Sequence, residues 1–282
     1  MKNHHTSPSD AMKLTVPTSL RIGIAGAERP LCASISRLLG SQGVHHTVLV
    51  EDDGSIPRGL PRASTAPMRL DEHLPASSPL ANLDVLVLAP AAPAPDGFTR
   101  QLEIVDAAAA AGVRHFVYVS ILNATDDALY TGARDHFRVE QRIRQTGAQF
   151  TILRPTLLLE RAANLLAPTG HMYGPGGNGT ATLLPRQQLA QKTVRVLADL
   201  DAYAGQTHPI TGPEAFTPKQ IAAQLSGQEG HPIHYHPEDA ETAFIRLVDY
   251  AVPPWKAAAV VTLYEALTAQ QFAPISPVRA LP

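Results

Sequence analysis

Between Leu20 and Thr156 the chain alternates short apolar runs with longer stretches whose apolar residues recur at helical spacing. The runs are "LRIGIAG" (Leu20–Gly26), "HHTVLVED" (His45–Asp52), "LDVLVLAP" (Leu83–Pro90), "HFVYVS" (His115–Ser120) and "QFTILRPT" (Gln149–Thr156). Each is the length of a strand buried on both faces, rich in Val, Ile and Leu. Between them lie periodic stretches. One starts at Pro30, carries Leu31, Ile35, Leu38 and Leu39, and ends near Gly40 and Gly43. A second, "FTRQLEIVDAAAAAG", puts Phe98, Leu102, Val105 and Ala109 on one face. A third, "ARDHFRVEQRIRQTG", turns Phe137 and Ile143 inward and stops at Gly147. Strands alternating with helices across short turns predict a parallel sheet with helices on both faces, an α/β Rossmann-type fold. Ligands of such sheets bind beyond the carboxyl ends of the strands.

The remainder divides around this unit. Residues 1–18 are polar and lack an apolar core, so they read as a disordered tail and not a signal peptide. Residues 19–156 form the expected dinucleotide-type domain. Residues 157–282 are expected to form a smaller α/β lobe, interleaved with that domain and covering its cleft. The segment 54–79 is rich in Pro, Ser and Arg, with only "MRLDEHL" suggesting a strand. "GHMYGPGGNGTAT" reads as a glycine-rich loop that lacks the Lys-Ser/Thr of a P-loop. "RQQLAQKTVRVLADL" reads as a helix, and Thr217-Pro218 as the cap and first residue of another. "PIHYH" is a short strand, in which His234 and His236 share a face without a carboxylate or cysteine to complete a metal site.

Composition narrows the function classes. The 282 residues carry a net charge of −2 with no basic block, which argues against nucleic acid as the partner. One cysteine rules out an internal disulfide, and no apolar run reaches the roughly 18 residues of a membrane span. The expectation is a soluble cytoplasmic protein acting on a small molecule, with oligomerisation open.

The segments "AAAAAGVRHFVYVSILNA", "DHFRVEQRIRQTGAQFTILRP" and "ITGPEAFTPKQIAAQLS" resemble, in sequence and order, the NmrA-like family of atypical short-chain dehydrogenases. The resemblance spans about residues 20–250. It implies a Rossmann fold with a small substrate lobe, and its members include NAD(P)H-dependent quinone reductases and redox-sensing regulators. Gly26 and Ala27 match the family's Thr-Gly-Ala-Thr-Gly-x-x-Gly turn. Thr is replaced by Glu28, the middle glycine by Arg29 and the last by Cys32. The middle glycine lets backbone approach the pyrophosphate and the last lets helix pack on strand, so weakened or altered NAD(P) binding is expected. The helix N-terminus still offers its amides, bringing Pro30 and Leu31 to the phosphates. Glu51, after the second strand, would accept ribose hydroxyls and repel a 2′-phosphate, favouring NAD over NADP. Ala89, Pro90 and Pro155, after later strands, complete the expected cofactor-contacting set.

For chemistry, the chain lacks Tyr-x-x-x-Lys. Tyr130-x-x-x-Arg134 is the nearest match, in what reads as a surface loop. His136 falls where the resemblance implies a residue near the nicotinamide ribose, with Glu140 completing a Lys/His-x-x-x-Glu pattern. Ser120 closes a strand where the family carries small hydroxyl residues. His136 and Ser120 are the candidate hydrogen-bond donors, with Tyr130 a third catalytic candidate. Cys32, in the first helical turn, is read as a buried inert thiol. The leading expectation is an NAD(P)-linked oxidoreductase of a small quinone or carbonyl. The alternatives are a non-catalytic redox or dinucleotide sensor, with a protein partner, and a cofactor-independent isomerase or cyclase reusing the cleft.

Overall fold

The computed structural model describes residues 15–26, 30–50, 59–68, 78–89, 96–166 and 171–273. The first half runs β1 (Ile22–Ala25), α1 (Pro30–Ser41), β2 (His46–Val50), β3 (Ala63–Pro67), β4 (Val85–Leu88), α2 (Gly97–Ala110), β5 (His115–Val119), α3 (Thr131–Gln145) and β6 (Gln149–Pro155). There follow β7 (Leu157–Leu158), α4 (Leu159–Leu166), β8 (Met172–Gly174), β9 (Ala181–Leu184), α5 (Arg186–Ala198), α6 (Leu200–Tyr203), β10 (Gln206–Ile210) and β11 (Ala215–Phe216). The chain continues through α7 (Pro218–Glu229), β12 (Tyr235–Pro237), α8 (Ala240–Asp249) and α9 (Pro254–Thr268).

Seven parallel strands make the main sheet in the order β10-β6-β5-β4-β1-β2-β3. Successive residues send their side chains to opposite faces. Ile22, Ile24, Val85, Val87, Val117 and Val119 pack with α1 and α5. Leu86, Leu88, Phe116 and Tyr118 pack with α2 and α3. Strand order reverses between β1 and β4, and this opens a crevice beyond their carboxyl ends.

The lobe has its own core, built from α4, α7, α8 and α9 around Tyr264 and Phe272. Small sheets β11-β9-β7 and β12-β8 flank it. Two elements from this half of the chain belong with the main sheet: α5 joins the α1 face, and β10 pairs with β6 at the sheet edge. Leu122, Ala128 and Tyr130, in the connection from β5 to α3, enter the lobe core, so the lobe meets the carboxyl end of β5.

Several local expectations change. The strand between β2 and β4 is Ala63–Pro67, not "MRLDEHL", of which residues 69–74 lie outside the described residues. It carries no apolar run because it is a largely exposed edge strand. In α2 the deepest residues are Ile104, Val105 and Ala108, while Phe98, Leu102 and Ala109 are half-buried. In α3 the buried residues are Ala133, Val139, Glu140 and Ile143, with Phe137 only half-buried. The "GHMYGPGGNGTAT" stretch includes β8 and the start of β9. Helix α1 passes through Gly40, and Gly43 (φ +78) ends it as Val44 N donates to Leu39 O at 3.0 Å.

Candidate functional site

At the switch point, Gly26 follows β1 with φ +83, a conformation that costs glycine least. Its amide donates to Leu49 O of β2 at 3.3 Å, which carries the β1–β2 ladder one residue past the strand end. Helix α1 then starts at Pro30, whose missing N–H costs nothing at a first position. Cys32 is fully buried, and its thiol donates to Ala25 O at 3.3 Å. It fills the position where a glycine would let helix pack on strand, and the packing survives. Leu31 is buried in the same core, and Pro30 is exposed. Ala89 is buried directly after β4, on the other side of the switch point. Ala27, Glu28, Arg29, Glu51 and Pro90 lie outside the described residues.

A positive-φ glycine at the strand end, a twelve-residue helix aimed at the crevice and close helix–strand packing fit a dinucleotide pyrophosphate. Gly26 and the first-turn amides of α1 would hold it.

Two polar clusters lie at the carboxyl end of β5. Tyr118 and Ser120 share the strand face toward α3, and His136 and Glu140 stand one turn apart on the facing helix. The Ser120 hydroxyl donates to Glu140 Oε1 at 2.5 Å, and its amide donates to Leu153 O at 2.7 Å. Arg154 of β6 holds the same carboxylate, with Nε to Oε1 at 2.9 Å and Nη2 to Oε2 at 2.6 Å. Glu140 is 0 % exposed and Arg154 side chain 21 %, so the pair is a bidentate ion pair with one dry partner. The Ser120 proton is committed to that carboxylate, so its oxygen is left with lone pairs only.

In the second cluster Gln101 Nε2 donates to Gly97 O at 3.2 Å and Gln101 Oε1 accepts from the Tyr118 hydroxyl at 3.0 Å. His136 Nδ1 lies 2.9 Å from the Tyr118 oxygen, with the rings tilted at 45°. Burial pushes the Tyr118 phenol well above its ordinary value, and the charges of Glu140 and Asp135 push it further the same way.

Tyr130 is not in a surface loop. It is 5 % exposed, packs in the lobe core and meets Phe272 edge-on at 6.3 Å. Arg134 gives its Nε to Ala128 O at 2.6 Å. Tyr118, not Tyr130, is the tyrosine against His136. Pro155 ends β6, where its carbonyl accepts from Leu122 N at 2.7 Å. Sequence reasoning missed Tyr118, Gln101 and Arg154. The signal for Tyr118 was its position two residues before Ser120, on the same strand face. Among the described residues no group of His, Cys, Asp or Glu is arranged to hold a metal, and no helix is long and apolar enough to cross a membrane.

The profile of the family described as NAD(P)H-binding matches residues 26–200, from the altered turn through α5. The chain belongs to the NAD(P)H-binding family. It is 26% identical over 249 residues to the NAD(P)H azoreductase of Xenophilus azovorans, covering 86% of this chain and 85% of that protein. Quinone oxidoreductase 2 of Escherichia coli is 29% identical over 135 residues, 47% of this chain and 46% of that one. The crystal structure of the NADPH-dependent quinone oxidoreductase of E. coli in complex with NADPH has a TM-score of 0.72 at 21% identity, covering 90% and 92% of the two chains. The Rossmann-type fold holds, as does the NmrA-like, atypical short-chain dehydrogenase branch that the middle block resembles.

Proposed function

We propose that this protein is an NAD(P)H-dependent reductase of a small conjugated acceptor, a quinone or an azo compound, working in the crevice between β1 and β4. The observation that carries the reading is the paired polar clusters at the end of β5, beside a switch point that fits a dinucleotide. Support for the acceptor class comes from the similarity to an azoreductase over most of the chain and to a quinone oxidoreductase over about half. A bound reduced nicotinamide supplies hydride. The chain's residues do the rest. Gly26 and the α1 amides bind the pyrophosphate. Ser120, its proton held by Glu140, accepts from a carboxamide or a ribose hydroxyl. His136 supplies the proton that a reduced oxygen or nitrogen takes up. The lobe excludes water above the strand ends.

For the coenzyme, Glu51 follows β2 directly in sequence, and a carboxylate there favours NADH. The similar E. coli quinone oxidoreductase is a complex with NADPH, so the preference is the sharper test. Steady-state reduction of a benzoquinone and of an azo dye is measured with NADH and NADPH, in the natural chain and in Glu51→Ser. The expected result is turnover with a higher kcat/KM for NADH, and a preference that narrows in Glu51→Ser. A tenfold advantage for NADPH, worth about 1.4 kcal/mol, overturns the coenzyme assignment. Dinucleotide binding without turnover of any acceptor overturns the reductase and favours a sensor.

A further inference from the structure

The hydrogen bonds around Tyr118 have only one consistent direction. Gln101 Nε2 donates to Gly97 O, which orients the amide and turns Oε1 toward Tyr118. A phenol has one proton to give, and Gln101 Oε1 takes it. The Tyr118 oxygen is then left with lone pairs only, and His136 Nδ1 at 2.9 Å must be the donor to it. Tyr118 is fully buried and cannot ionise near neutrality to change this order, since burial and the neighbouring Glu140 and Asp135 charges all oppose it. The chain of donors thus runs from His136 through Tyr118 and Gln101 to the first turn of α2.

We propose that Gln101 and Tyr118 are positioning residues that hold the neutral His136 ring as its Nδ1–H tautomer, so that proton exchange at His136 is confined to Nε2. This deepens the reductase reading and rests on it for its functional meaning, because a proton donor with one fixed nitrogen delivers its proton along one direction. The tautomer itself follows from geometry alone. Histidine tautomers are set by the bond that the other nitrogen makes, and here that bond is second-hand, imposed by an amide two groups away.

The test is long-range 1H–15N correlation on protein labelled with 15N-histidine, at alkaline pH where the ring is neutral and with no cofactor added. His136 is assigned by the signals lost in His136→Gln. The expected result is a protonated, pyrrole-type Nδ1 and a pyridine-type Nε2. In Gln101→Met the Tyr118 proton loses its acceptor and turns to Nδ1, so His136 converts to the Nε2–H form. In Tyr118→Phe the acceptor for Nδ1–H is gone, and the bias toward that form disappears. An Nε2–H ring in the unaltered protein overturns the proposal, and no mutation is needed to see it. A ring that stays Nδ1–H in either variant overturns the positioning roles. The spectrum is recorded without cofactor or substrate, so a failure of the reductase reading in turnover assays leaves it unchanged.

Discussion

At the scale of residues, the energetic centre of the site is Glu140. A fully buried carboxylate is costly unless it is paired and hydrogen-bonded. Here Arg154 and Ser120 do both, with three contacts between 2.5 and 2.9 Å. Removing the charge leaves the guanidinium beside a neutral amide at the base of the cleft. Breaking a buried pair costs about 3–5 kcal/mol, and the partial exposure of Arg154 moves the expectation for Glu140→Gln to about 2–3 kcal/mol. Adding Arg154→Met should recover part of that loss, since the unpaired charge goes with it. Urea denaturation of the two single variants and the double variant measures this. Strictly additive losses would mean that the pair is not the source of the effect. The sequence marks Glu140 only through the His-x-x-x-Glu pattern; nothing in "ARDHFRVEQRIRQTG" shows that it is buried or what it pairs with. Its burial depends on Arg154, fourteen residues on, and on Ser120, twenty residues back.

At the scale of elements, the strands read well where they are buried on both faces. The apolar runs that hold β4, β5 and β6 are visible because both faces need hydrocarbon. The edge strand β3, "ASTAP", escaped for the opposite reason: one side of it has no strand to face, and its Ser64 and Thr65 are exposed. What brings β3 close is Gly40 in α1. A Cβ there would lie 2.1 Å from Pro61 O, a backbone atom that cannot swing aside. In a helix interior, Gly→Ala ordinarily stabilises by about 1 kcal/mol. Gly40→Ala should instead lower the thermal midpoint, because the clash displaces the chain leading into β3. A rise in midpoint would contradict this close approach. The helix phases were only partly legible: Val105 and Ile143 face inward as their spacing predicts, Phe98, Leu102, Ala109 and Phe137 are only half-buried, and α3 carries the polar site residues His136 and Glu140 toward the sheet.

At the scale of the whole molecule, the single strand-order reversal between β1 and β4 places everything else. It sets the crevice at Gly26 and Ala89, and the connection leaving β5 carries Leu122, Ala128 and Tyr130 into the lobe core. Asn123, at φ +54, ties that connection to the segment just after α9 through Gln271 O. Lobe and sheet are therefore joined at the same place where the polar clusters stand. The alternation along residues 20–156 is enough to read this architecture, because buried parallel strands and their covering helices each leave a periodic imprint. The altered turn is different. Arg29 and Cys32 read as losses in sequence, yet Cys32 packs α1 against β1 without the third glycine. Whether this crevice holds a nicotinamide dinucleotide is decided by calorimetric titration of the purified protein with NADH and NADPH. Saturable binding of at least one of them is expected, with a Kd between about 1 μM and 1 mM, the range of working substrate concentrations. No heat of binding with either, up to millimolar concentration, would contradict it.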